Sequence, residues 1–176
     1  LWAGKADEPA SMSFTREDAA AKDLSDAVVT VSRSGKIFAY SPDSSTLVTM
    51  EQEGQTWRSK TTAIKGFQGP GPLSITAVGD KPVIYDQGGN SLVTPDGKVR
   101  DLGEDHITGA VLQAPGDEAS GVLLATGDEL VTVPLSGQGV TRQPASDQGL
   151  AGPPAPPVFH RGCAYGAWAG SGAFVR

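Results

Sequence analysis

The sequence holds one cysteine, Cys163, and two histidines, His106 and His160, in 176 residues. A single thiol forms no internal disulfide and leaves the redox compartment open. Aromatic residues make up only 6% of the chain, so its core must be aliphatic, carried by Val, Leu and Ala. No run of Lys or Arg occurs, and the formal net charge is −6. That excludes attachment to nucleic acid or anionic lipid through a basic surface. No apolar run approaches the roughly 20 residues of a membrane-spanning helix, and no signal peptide is present. Gly-x-Ser-x-Gly elbows, P-loops, Gly-x-Gly-x-x-Gly turns and zinc-type spacings are all missing. No catalytic residue and no cofactor is therefore expected. The chain opens on Leu1 without Met and stops at Arg176 after a strand-like run, so it reads as a fragment of a longer polypeptide.

What is present is punctuation. Gly (23) and Pro (13) reach about a fifth of the chain without a collagen period. They separate many short apolar runs, the texture of an all-β protein. Residues 1–23 are the exception. There Thr15-Arg16-Glu17-Asp18 has a weak capping-box pattern ahead of Ala19-Ala20-Ala21, giving at most two helical turns or a polar connector.

From residue 24 to 143 strands follow one another. Ala27-Val28-Val29-Thr30-Val31, Lys36-Ile37-Phe38-Ala39-Tyr40 and Thr46-Leu47-Val48-Thr49-Met50 form an antiparallel meander. A second begins at Leu73 and closes on Val99-Arg100-Asp101-Leu102, where Asp96-Gly97 signals a two-residue hairpin turn. A third runs from Gly109 to Arg142. Stacked by their prolines at 42, 95 and 134, the units repeat at roughly 40 to 50 residues, the period of propeller blades. Residues 144–157 read as a Pro/Gly-rich linker loop. Residues 158–176 read as the opening strands of a further blade. Leu1-Trp2-Ala3-Gly4 echoes Ala167-Trp168-Ala169-Gly170 and reads as the last strand of a preceding one. The expected fold is an incomplete, β-propeller-like array of about three to four antiparallel four-stranded blades.

Chemistry-bearing residues are few. His106 stands beside Glu104 and Asp105, but a metal site needs further ligands, and a polar loop accounts for the run. His160 and Cys163 lie three apart. Odd spacing in an alternating strand puts them on opposite faces, and Gly162 between them signals a turn; both stand against a Cys–His nucleophile pair and in favour of a small buried thiol. Asp43-Ser44-Ser45 and Asp96-Gly97 lack the acid density of a calcium loop and are explained by turns. Trp57, in the polar run Gln55-Thr56-Trp57-Arg58-Ser59-Lys60, is the one candidate ligand-binding residue: a surface aromatic for carbohydrate or protein, against core or edge packing.

The segment Phe159-His160-Arg161-Gly162-Cys163-Ala164-Tyr165-Gly166-Ala167-Trp168-Ala169-Gly170-Ser171-Gly172 resembles a motif of propeller-like regions in large bacterial cell-surface proteins with fibronectin type III or other Ig-like modules. Val29 to Pro42 looks like the same region, and the resemblance covers about residues 24 to 176. It implies a secreted or surface-anchored, non-catalytic protein at the cell exterior, and it carries over no functional residue. The function expected is a structural or interaction module contacting proteins or cell-surface glycans. The alternatives are a carbohydrate- or small-molecule-binding propeller domain and a propeller-type hydrolase or lyase. A homodimer through exposed edge strands is a further expectation, because an unclosed array leaves its edges bare.

Overall fold

The computed structural model describes residues 24–54, 56–65, 67, 71–103, 107, 109–118, 120–136, 139–146 and 151–176. The expectations for Leu1–Gly4, the 15–21 segment and His106 lie outside these residues. Among the described residues there is no α-helix, and fifteen strands form four antiparallel sheets.

Each sheet is a meander of consecutive strands. The first contains β1 (Val28–Val31), β2 (Ile37–Ser41), β3 (Thr46–Glu53) and β4 (Thr56–Ala63). The second contains β5 (Leu73–Val78), β6 (Lys81–Asp86), β7 (Ser91–Val93) and β8 (Val99–Asp101). The third contains β9 (Val111–Leu112), β10 (Gly121–Ala125), β11 (Glu129–Pro134) and β12 (Thr141–Pro144). The fourth has three strands, β13 (Val158–His160), β14 (Cys163–Trp168) and β15 (Ala173–Val175).

The sheets pack face to face in chain order, and the side-chain period of two explains how. On β6, Ile84 faces the first sheet and meets Phe38, Tyr40 and Leu47, while Val83 and Tyr85 face the third and meet Val122, Leu124 and Val133. On β10, Leu123 and Ala125 face the fourth sheet, where they meet Trp168 and Val175. All five residues of β2 and all five of β10 are buried, so these strands read as continuous apolar runs instead of alternating ones. Burying each such Val, Leu or Phe contributes about 1.5–3 kcal/mol, so the inter-sheet layers hold the stack together.

The first strands also touch one another. β1 neighbours β5, and β5 neighbours β9. A parallel bridge joins Val78 to Gly116, with Gly79 N–H donating to Gly116 O (2.7 Å) and Gly116 N–H to Ala77 O (3.0 Å). Ala114 N–H donates to Pro157 O (3.0 Å), tying the β9–β10 loop to the approach to β13. Within the expected linker, Ala151 is buried, its N–H donates to Gly127 O (2.7 Å), and Ala155 N–H donates to Ala167 O (2.8 Å). The described part of this segment is thus pinned to the third and fourth sheets.

Two details of the sequence reading change. The Asp96-Gly97 hairpin has a three-residue loop, Pro95-Asp96-Gly97. Thr94 N–H donates to Lys98 O (2.9 Å), Gly97 N–H to Thr94 O (2.8 Å), and Gly97 has φ +81°. This is a turn followed by a left-handed glycine, which the same dipeptide serves equally well. The prolines also mark different places. Pro42 follows the second strand of its sheet, whereas Pro95 and Pro134 follow or end the third. Any hairpin yields the same turn–strand–turn text, so the proline stacking slips by one strand.

Candidate functional site

β3 and β4 are eight residues long, whereas β7 and β8 opposite them have three each. The long hairpin thus outruns the sheet it packs on. A groove of about 540 Å³ opens between the two sheets, a size typical of ligand sites. Its floor is apolar: Phe38 and Leu47 from the first sheet, Ile84 and Val93 from the second, and Ile64 just past β4.

The rim is charged. Register places Glu51 opposite Arg58, Thr49 opposite Lys60 and Leu47 opposite Thr62, all on the face turned to the second sheet. Lys36 Nζ lies 3.2 Å from Glu51 and 3.8 Å from Asp80, bridging the two sheets. Arg58 pairs with Glu53 at 2.9 Å. Asp96 pairs with Lys98 at 2.7 Å. Lys60 is the cation lining the groove that has no ion-pair partner among the described residues.

Two of the rim carboxyls are displaced in their titration. Asp80 is lowered, first by the Ser34 hydroxyl that donates to it and then by Ser32 and Lys36 against the opposing effect of burial. Asp96 is lowered to about 2, chiefly by its hydrogen bond from Lys98 and then by the Thr94 hydroxyl. Both move away from the neutral range in which a general acid or base works. Each is held in contacts within the protein, Asp80 with Ser34 and Lys36 and Asp96 with Thr94 and Lys98.

Trp57 lies on β4 but on the other face of the sheet, opposite Gln52 and on the side of Val48 and Met50. It is half-buried and packs with Ile37, Val48 and Met50. The structure therefore keeps it out of the groove.

His160 and Cys163 require a correction. They are direct cross-strand partners on β13 and β14 and share one face. The chain reverses between them through Arg161 (φ +51°) and Gly162 (φ +75°), so the rule for a single strand does not apply. Cys163 is half-buried, and its Sγ accepts from Arg176 Nη2 at 3.6 Å. His160 also lines a hollow of about 200 Å³ with Arg33, Asp117, Glu118, Phe159 and Arg161. No group of three or more His, Cys, Asp or Glu able to hold a metal occurs among the described residues. No helix among them is long and apolar enough to cross a membrane.

Sequence reasoning singled out none of Lys36, Lys60 and Asp80, and it weighed Asp96 only as part of a calcium-loop-like turn. Up to 60 positions separate them, and each sits in an ordinary turn or strand. The legible signal was β4 itself, a strand-length run with no apolar alternation beside an apolar meander. No protein-family model and no curated protein matches the sequence.

Proposed function

We propose that this chain is a non-catalytic interaction module whose four sheets are consecutive blades of a propeller-like array, and that it holds a protein partner in the groove between the first two. The observation that carries this is the groove's construction: an apolar floor inside a rim of fixed, mostly paired charges. Apolar floors supply affinity and charged rims supply orientation and selectivity. β2 and the last four residues of β6 beneath the groove are buried, so the floor is rigid and little ordering cost accompanies binding. The setting in this reading is a secreted or surface-anchored bacterial protein, as the resemblance of residues 159–172 implies.

A peptide library and a glycan array, both probed with the same labelled protein, test the reading. Peptide ligands are expected. Thr62→Trp, which fills the groove, should weaken them at least about tenfold, since loss of a well-filled site is worth 1.4 kcal/mol or more. Trp57→Ala should leave them bound. Glycan binding that vanishes with Trp57→Ala and survives Thr62→Trp would replace this reading with carbohydrate recognition on the opposite face.

A further inference from the structure

Of the fourth strands, β4 is the longest. Seven of its eight residues are exposed and Trp57 is half-buried, its register with β3 runs unbroken over all eight, and it contains no proline. The other two are blunted. β8 has three residues and is clamped by Arg100, whose Nη1 and Nη2 donate to Pro134 O and Gly139 O at 2.7 Å each. β12 has four residues and ends on Pro144. Short length, proline and covering contacts protect a sheet edge, and among the described residues β4 has none of the three; its protection is the charge of Arg58 and Lys60.

The direction of its free groups follows from the ladder. Ile64 N–H donates to Ser45 O at 2.9 Å, and pairing continues through Leu47–Thr62, Thr49–Lys60, Glu51–Arg58 and Glu53–Thr56. Hydrogen-bonded pairs alternate in an antiparallel ladder. Thr62, Lys60, Arg58 and Thr56 therefore spend their backbone groups on β3. Trp57, Ser59, Thr61 and Ala63 turn theirs outward, where they have no backbone partner among the described residues.

Resting on the groove as a protein-binding site, we propose that the partner is an extended segment that adds to β4 as a fifth strand, pairing with the outward backbone groups of Trp57, Ser59, Thr61 and Ala63. Alternate side chains of that strand lie on the groove side of the sheet, next to Arg58, Lys60 and Thr62 of β4. The one opposite Lys60 is a carboxylate, which pairs with the groove cation that has no ion-pair partner among the described residues. A second copy of β4 fits poorly. In the registers that overlap most of the strand, Arg58 or Lys60 would stand opposite Arg58 or Lys60 of the other copy, an arrangement of like charges that opposes pairing. Glu51, Glu53, Asp80 and Asp96 line the same groove, so the segment carries a single carboxylate, placed opposite Lys60, and is otherwise uncharged.

The test uses a capped nine-residue peptide that alternates valine and threonine with a central glutamate. Backbone amide exchange of the full chain is followed by NMR as the peptide is added. Slowed exchange is expected at Trp57, Ser59, Thr61 and Ala63. Binding should fall about tenfold or more with Lys60→Glu. It should be lost with Thr61→Pro, which removes an outward donor and leaves the β3 ladder intact. The same peptide N-methylated at alternate residues should not bind, and this arm stands whether or not Thr61→Pro folds. Peptide binding that fills the groove without protecting the four amides, or that survives N-methylation, would overturn strand addition and leave the groove reading standing. Failure of every peptide in the library as well would remove both. A rise in solution mass with protection of the same amides in the absence of peptide would assign the edge to self-association instead.

Discussion

Trp168 is the largest fully buried side chain among the described residues, and its place is made by a missing one. A Cβ on Gly166 would lie 2.8 and 2.9 Å from two ring atoms of Trp168. The ring cannot slide away freely, because Nε1 donates to Thr126 O at 2.7 Å and ties the fourth sheet to the third. Gly166→Ala is therefore expected to cost about 1–3 kcal/mol through overpacking, read as a lower urea midpoint with unchanged slope. The opposite sign is expected at Thr76, which is 0% exposed with a hydroxyl that has no hydrogen-bond partner among the described residues. Thr76→Val removes an unsatisfied buried polar group and should raise stability by about 1 kcal/mol. Neither effect is legible in the sequence. Gly166 reads as one more glycine in a turn-rich chain, and only the packed structure shows that it faces an indole.

Turns are the element that repeats most faithfully. Ser32 N–H donates to Lys36 O (2.8 Å) around Arg33-Ser34-Gly35, as Thr94 does to Lys98 around Pro95-Asp96-Gly97. In the third sheet Thr126 closes a shorter loop on Glu129 (2.9 Å). The hydroxyls repeat as well: Thr94 donates to Asp96 (2.5 Å) and Thr126 to Asp128 (2.6 Å). The lowered Asp96 gives the second-sheet turn a pH dependence. A carboxyl more acidic in the folded chain than its unfolded value of about 4 stabilises fully above that value and loses its contribution as pH falls through the folded value of about 2. The stability difference between the wild type and Asp96→Asn should be constant above pH about 4 and close between about 4 and 2. A difference unchanged down to pH about 2 would mean that the Thr94 and Lys98 contacts do not favour the ionised form. At this scale the sequence was informative, because β-branched runs and Gly or Pro punctuation state a strand and its ends directly. It could not state the position of a strand within its sheet, which is why Pro42 aligned with Pro95 and Pro134. Gly162 did signal the turn between the last strands, but the single-strand face rule does not hold across it, and the reversal puts His160 and Cys163 on one face.

The whole molecule is a series of sheets that share cores, with an apolar face at each end. Most large apolar side chains exposed among the described residues lie on those end faces. Val29 and Val31 are on the first sheet's face away from the second, and Val158 and Phe174 on the fourth sheet's face away from the third. The inner faces show the same residue types fully buried, so the ends carry the composition of an interior layer. The groove belongs to this scale too. It exists because one hairpin is longer than its neighbours, a difference of length that a sequence shows only once the pairing is known.

The most direct measurement is the exchange of the β4 amides in the protein without any partner. The account predicts an alternating pattern: slow at Arg58, Lys60 and Thr62, which are spent on β3, and fast at Trp57, Ser59, Thr61 and Ala63, which face outward. Uniformly slow exchange would mean that the edge is already covered, and uniformly fast exchange that the β3–β4 hairpin does not form; either would contradict the open edge on which the binding site is built.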